Sequence, residues 1–249
     1  MNPSSLLQSN GYCVLSEIFA SSSLQLLKAQ AISAISVAEQ KGVLGPVNIS
    51  GQLQEQWFTD SACRNAFIET LFSKELTTRV GRMLTELYVH DLQVFYNPTN
   101  AAEPYWHRDL QFSSLTEEEH RRLLPELNSY HLRVPLLPER GVVVVPGSHR
   151  RWDTHTERSA RQQNQGAVPL VGEHIIELIP GDALIFHSEL IHRGEYQANA
   201  ARLAYDVCIG QAHPVLMSLF DPRNCVEPSL APWCPWLEAT HRLSLEESE

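Results

Sequence analysis

The sequence predicts a mainly β protein with flanking helices: an antiparallel barrel or sandwich of short strands, braced by a helical N-terminal third. Three observations carry this. Between residues 88 and 209 short β-type runs follow one another. They are punctuated by clusters such as NPTN, PGSH and IPGD, whose Pro, Gly and Asn residues suit the dihedrals of tight turns. Before residue 87, apolar residues recur at helical spacing instead. Many short strands with frequent turns favour a barrel or sandwich.

Taken in order, residues 11–19 (GYCVLSEIF) read as a strand and turn. Ser21 to Ser23 offer N-caps for a helix to about Gln40, with Leu24, Leu27, Ala31, Ile35 and Ala38 on one stripe. Residues 42–56 read as a loop. A second helical region covers about 61–86, with Phe67, Leu71, Leu76, Val80, Met83 and Leu84 as its apolar positions. Strands are expected at 88–96, 129–137, 141–145, 174–179, 183–187 and 202–209. The polar, Arg-rich stretch 150–168 reads as a surface loop, and the tail from Asp221 as an irregular flap. Within that tail Trp233-Cys234-Pro235-Trp236 reads as packing, with a lid or homodimer contact as the alternative. Residues 1–249 are read as a single domain: helical part about 20–86, β core about 88–210, tail about 211–249.

Composition narrows the function. With 43% hydrophobic residues in 249, a core can form without disulfides or a structural metal. A net charge of −10 gives no basic stripe for nucleic acid, and the three lysines (Lys28, Lys41, Lys74) make no polybasic membrane patch. Five widely spaced cysteines without a C-x-x-C argue against a disulfide framework and for a reducing compartment. The N-terminus lacks a basic region followed by an apolar one, and no apolar run reaches the ~18 residues of a membrane helix. The expectation is a soluble, cytoplasmic protein.

The chemistry concentrates in two places. In Trp106-His107-Arg108-Asp109, an extended chain would put His107 and Asp109 on one face and Arg108 on the other. An imidazole beside a carboxylate is two-thirds of a facial triad for Fe(II), wanting one more histidine. His107-Arg108-Asp109-Leu110 also matches the start of a kinase catalytic loop. That loop needs an Asn where Ser114 stands, and no Gly-rich loop, V-A-I-K or D-F-G accompanies it. The second place is residues 180–207, where a PGD turn and a strand lead to His187 and His192, and Arg202 opens another strand. Either histidine could complete the triad. Arg202 heads an apolar run and would suit a carboxylate inside the barrel, because its guanidinium forks onto two oxygens and keeps its charge.

The order of these pieces resembles the phytanoyl-CoA dioxygenase family of Fe(II)/2-oxoglutarate oxygenases. It is carried by Trp106 to Asp109, by Gly141 to His149 (GVVVVPGSH) and by Gly181 to Arg202. The resemblance runs from Gly11-Tyr12 to about Gly210. It implies a double-stranded β-helix, of the jelly-roll or cupin kind. It selects His192 over His187 as the distal ligand, giving His107, Asp109 and His192 as both the metal ligands and the catalytic centre. It places Arg202 on the far carboxylate of 2-oxoglutarate, with Gln93 and Tyr130 near the cosubstrate, and O2 as the oxidant. Leu92, Val94, Phe95 and Trp106 are candidates for the apolar wall.

Two departures stand out. Relatives usually read H-G-S after the distal histidine, the Ser touching 2-oxoglutarate; here the chain reads His192-Arg193-Gly194. The loop before Gly141 reads P-E-R-G rather than E-N-G. Asp109 is kept, unlike in halogenases. The implied reaction is oxidation, chiefly hydroxylation, of a small molecule, with succinate and CO2 released. Few lysines disfavour an acyl-CoA, though Arg133, Arg150, Arg151, Arg158 and Arg161 are weighed as an anion site against a solvated loop. A metal-dependent isomerase or hydrolase, or a non-catalytic binding barrel, are the alternatives.

Overall fold

A computed structural model of the chain describes residues 2–96, 104–163, 168–196 and 201–246. Helix α1 (Pro3–Asn10) leads into strand β1 (Tyr12–Leu15), then α2 (Ser21–Gln40), β2 (Asn48–Ile49), α3 (Ser61–Leu71) and α4 (Lys74–Gly81). The long strand β3 (Leu87–Tyr96) is followed by α5 (Glu117–Leu123), β4 (Ser129–Pro135), β5 (Glu139–Val144) and α6 (His155–Gln162). Then come β6 (His174–Leu178), β7 (Ala183–His187), β8 (His192–Gly194), β9 (Leu203–Gln211), α7 (Pro214–Met217) and α8 (Pro235–Glu246). The strands form two sheets, one in the order β1-β7-β4-β9-β3-β2 and one in the order β6-β5-β8, with every pair antiparallel.

Period-two alternation gives the large sheet two unlike faces. Leu92 and Val94 of β3, Leu132 and Val134 of β4, Ile185 of β7 and Val207 and Ile209 of β9 share one core with the helices. That core takes in Leu27, Ala31, Ala34 and Ala38 of α2, Phe67 and Leu71 of α3, and Leu237 of α8. The residues between them in sequence face the small sheet. Phe186 and Leu184 pack there against Val142, Val144, Ile176 and Leu178. The rest of that inner face is polar. Gln93, Asp206 and Arg133 lie in one row across three strands, and Asp91, Cys208 and His131 in the next but one. Polar side chains repeated on one face of an otherwise apolar sheet mark the wall of a cavity.

Several expectations are corrected. The region 61–86 is two helices, broken where Ser73 caps α4 through its Oγ. Helix α2 starts from Ala20 with no side-chain cap, Ser21 being its first residue. The stretch 150–168 holds α6, capped by Thr154 and Glu157 in a reciprocal box. The tail is largely helical: α8 packs on β3, and the Thr240 hydroxyl accepts the Val89 N–H at 2.8 Å. No helix among the described residues is long and apolar enough to cross a membrane.

Candidate metal centre

His107 and His192 are brought together by backbone, not by side chains. The His107 N–H donates to the His192 carbonyl and the His192 N–H to the His107 carbonyl, each at 2.9 Å. This single antiparallel bridge sets the two imidazoles with ring centroids 4.1 Å apart. Asp109 is not in a strand, contrary to expectation. It opens a 3-10 turn, Asp109–Phe112, and its N–H donates to the Ser188 carbonyl. The turn swings the carboxylate under both rings, its Oδ1 at 3.6 Å from each Nε2. His107, Asp109 and His192 thus offer ligand atoms that all lie within 4.8 Å of one another. His187 does not join them. It faces the opposite side of the sheet, beside His149 and Tyr130.

The protonation pattern suits a cation. His107 Nδ1 lies 3.0 Å from the Tyr105 carbonyl and His192 Nδ1 2.8 Å from the Leu190 carbonyl. A carbonyl only accepts, so each Nδ1 carries the hydrogen and each Nε2 lone pair points to the centre. Burial, then the neighbouring His192, pushes His107 down to about 3; burial lowers His192 also. Burial alone would raise the Asp109 carboxyl, but His131 and His192 beside it hold it well below the usual carboxylate range. Two neutral imidazoles and one carboxylate, converging in a cleft, fit a divalent metal such as Fe(II).

Outside these three, a chain of alternating charge runs across the inner face. Asp109 Oδ2 is held by His131 Nε2 at 2.6 Å, and His131 Nδ1 by Asp206 Oδ1 at 2.6 Å. Arg133 donates to Asp206 at 3.3 Å and to both oxygens of Glu139, at 2.6 and 3.2 Å. Glu139 also accepts from Arg202 Nε at 3.1 Å. Burial would lower His131, but Asp206, Cys208 and Asp109 raise it well above the ordinary imidazole value. His131, Asp206 and Glu139 are not among the site residues expected from the sequence. For His131 and Asp206 the signal lies in SYHLRVP and LAYDVCI, where polar residues recur every second position; Glu139 lies outside both segments.

Arg202 is buried, its guanidinium flanked by the rings of Phe95 and Tyr196, and its Nη1 has no hydrogen-bond partner among the described residues. Gln93 lines the same cavity, its amide bonded to Asn48, Ser50 and Asp91. Tyr130, expected near the cosubstrate, sits on the helix side of β4; its neighbour His131 takes the cavity side, as strand parity requires. Of the expected wall, Phe95 lines the cavity, whereas Leu92 and Val94 face the helices and Trp106 is buried against Val143 and Ile191. The arginine set does not converge on one anion site: Arg150, Arg151 and Arg158 are exposed, and only Arg133 and Arg161 are buried. Arg133 and Arg161 are buried in ion pairs, and Arg151 and Arg158 pair with Glu157 and Glu117.

Both motif departures gain a physical account. Arg193 turns away from the cavity, onto Glu195 and the Trp106 ring. At Gly194 a Cβ would stand 2.6 Å from the Tyr196 hydroxyl, so Tyr196 occupies the space a side chain at 194 would need. Arg108 points away as expected, but into a fully buried clamp. It donates to Asp153 and to the carbonyls of Ser148, Glu189 and Arg151, tying the 148–153 turn to the segment bearing His107 and Asp109.

Fold and donor set together define a two-histidine, one-carboxylate centre on paired antiparallel sheets with flanking helices. A family model described as Phytanoyl-CoA dioxygenase (PhyH) matches residues 7–202, and the chain belongs to that dioxygenase family. Solved structures share the fold. AviO1 from Streptomyces viridochromogenes Tue57 has a TM-score of 0.62 at 16% identity, covering 86% of this chain and 96% of its own. EctD from S. alaskensis, solved with 2-oxoglutarate and 5-hydroxyectoine, has a TM-score of 0.60 at 18% identity, covering 84% and 74%. The α-ketoglutarate-dependent epimerase SnoN from nogalamycin biosynthesis follows at 0.57 and 16%, covering 84% and 81%. No curated protein matches by sequence.

Proposed function

We propose that this protein is a non-haem Fe(II)- and 2-oxoglutarate-dependent dioxygenase that hydroxylates a small molecule in specialised metabolism, releasing succinate and CO2. The observation that carries the reading is the convergence of His107 Nε2, His192 Nε2 and Asp109 Oδ1 with both Nδ1 atoms already committed to carbonyls. Fe(II) held there supplies the oxidising chemistry, drawing on O2 and on decarboxylation of 2-oxoglutarate. The chain does the rest. His107 and His192 present neutral donors, and His131 takes the second oxygen of Asp109 so that one oxygen faces the metal. Arg202 Nη1, the buried orphan donor, takes the far carboxylate of 2-oxoglutarate, and the Tyr196 hydroxyl stands in for the Ser that relatives carry. Gln93 stiffens the wall beside them. Phe95, Phe186 and Val142 exclude water from the cavity, of about 400 Å³.

Anaerobic addition of Fe(II) and 2-oxoglutarate tests this. A visible charge-transfer band is expected. Arg202→Ala should weaken cosubstrate binding by the worth of a charged hydrogen bond, about 1.5–3 kcal/mol, or roughly ten- to hundredfold. Absence of the band, together with no 2-oxoglutarate-dependent succinate, contradicts the reading. An epimerase and a carbocyclase, SnoN and SnoK, are also among proteins of this fold, so product analysis decides between hydroxylation and another oxidative outcome.

A further inference from the structure

The cavity has room beyond the cosubstrate, and its charges limit what can fill that room. Arg133 and Arg202 are the only Lys or Arg side chains lining it among the described residues. The segments 97–103 and 197–200, which adjoin the strands and turns of the site in sequence, contain no Lys, Arg or His. The lining also holds the carboxyl groups of Asp91, Asp109 and Asp206, and Glu139 bonds both guanidiniums. Every Arg133 nitrogen is engaged, with Glu139 and Asp206. Arg202 spends Nε on Glu139 and Nη2 on the Gly141 carbonyl, leaving Nη1 without a hydrogen-bond partner among the described residues. Whatever the charge on His131, the wall has no surplus of positive charge. Fe(II) and 2-oxoglutarate carry opposite and equal charges, so adding both changes nothing.

The rim is different in kind. Phe112 is 63% exposed, Leu219 44% and Tyr105 37%, and all three line the cavity. Phe112 meets Tyr105 edge-on at 6.1 Å and lies 5.7 Å from the His107 ring. Exposed apolar groups clustered at a pocket mouth are a docking surface for an apolar body.

Resting on the oxygenase reading above, we infer that the substrate carries no phosphate or carboxylate: it is an uncharged or amine-bearing molecule whose apolar face docks on Tyr105, Phe112 and Leu219. A second anion would have to enter beside Asp109 and Asp206 with the single free guanidinium nitrogen already taken. Burying such a charge without a partner is strongly unfavourable.

The test uses the Fe(II)-loaded protein under anaerobic, saturating 2-oxoglutarate, with the charge-transfer band as reporter of events next to the metal. Benzyl alcohol, benzylamine and benzyl phosphate serve as probes that share an apolar benzyl group and differ in charge. The alcohol and the amine should perturb the band. The phosphate should leave it unchanged, or bleach it by competing for Arg202, an effect reversed by more 2-oxoglutarate. Phe112→Ala, at an exposed position, should weaken the alcohol response about three- to tenfold. Leu219→Arg should admit the phosphate. A wild-type phosphate response as strong as that of the alcohol at saturating 2-oxoglutarate, or no response to alcohol and amine, overturns the inference. A missing band in the absence of any probe sinks the oxygenase reading itself, whereas a normal band with a phosphate response sinks only this inference.

Discussion

At the residue scale, the arrangement turns on which atom of each side chain is already spoken for. His131 is the clearest case. It grips the Asp109 oxygen that points away from the other two ligands and is itself held by Asp206. Removing such an outer partner typically costs ten- to a hundredfold in metal affinity. His131→Ala should therefore lower Fe(II) or Mn(II) affinity by about that factor while the fold persists, read by metal titration and circular dichroism. Unchanged affinity would mean that Asp109 needs no such restraint. Tyr196→Phe should leave metal affinity intact and weaken 2-oxoglutarate binding about three- to tenfold, by the net worth of one hydrogen bond. The histidine choice has its own control: His192→Ala should abolish metal binding and His187→Ala should spare it, since His187 lies on the other face of the sheet.

At the scale of elements, Arg108 ties the metal-bearing turn to the rest of the fold. It is fully buried, and breaking a buried ion pair by removing one partner costs about 3–5 kcal/mol. Arg108→Met should lower the urea midpoint accordingly; a loss below about 1 kcal/mol would contradict the clamp. This scale also shows what the sequence could and could not disclose. The strands were legible because alternation and turn residues survive in a linear reading, and His107 and Asp109 because they sit two residues apart. The turn that actually presents Asp109 was not, since H-x-D reads the same in strand or 3-10 geometry. The 150–168 stretch hid α6 behind its polarity, although Thr154 and Glu157 form a capping box visible in the sequence. Helix α8 was hidden by the Pro and Trp residues that precede it. Alternation marks His131 and Asp206 as facing one way, but which groups pair along the network from Asp109 to Arg202 was not legible, because His131, Arg133, Glu139 and Asp206 lie on strands that only the folded sheets bring together.

For the whole molecule, buried histidines set the response to acid. His90 and His187 are pushed down to about 3 and His149 to about 4, in each case chiefly by burial. Below the ordinary imidazole value near 6.5 the unfolded chain takes up protons at these positions and the folded one does not. Their contribution to stability is thus full above about pH 6.5 and falls as pH drops toward 4, by at most about 1.4 kcal/mol per pH unit for each such group. His131 works the other way, its raised value favouring the fold at low pH, but with His107 and His192 also lowered it is one against five. Urea midpoints at pH 7.5 and 5.5 should differ clearly, the acid sample being weaker. Equal midpoints would mean that these histidines are solvated.

A single metal ion bound among three named atoms is read most plainly by anomalous diffraction at the iron edge. Crystals loaded anaerobically with Fe(II) and 2-oxoglutarate should show a single strong peak bounded by His107 Nε2, His192 Nε2 and Asp109 Oδ1, with the far carboxylate of 2-oxoglutarate on Arg202. A peak at the neighbouring His131, Asp206 and Cys208 cluster, one beside His187 and His149, or none at all, would contradict the account.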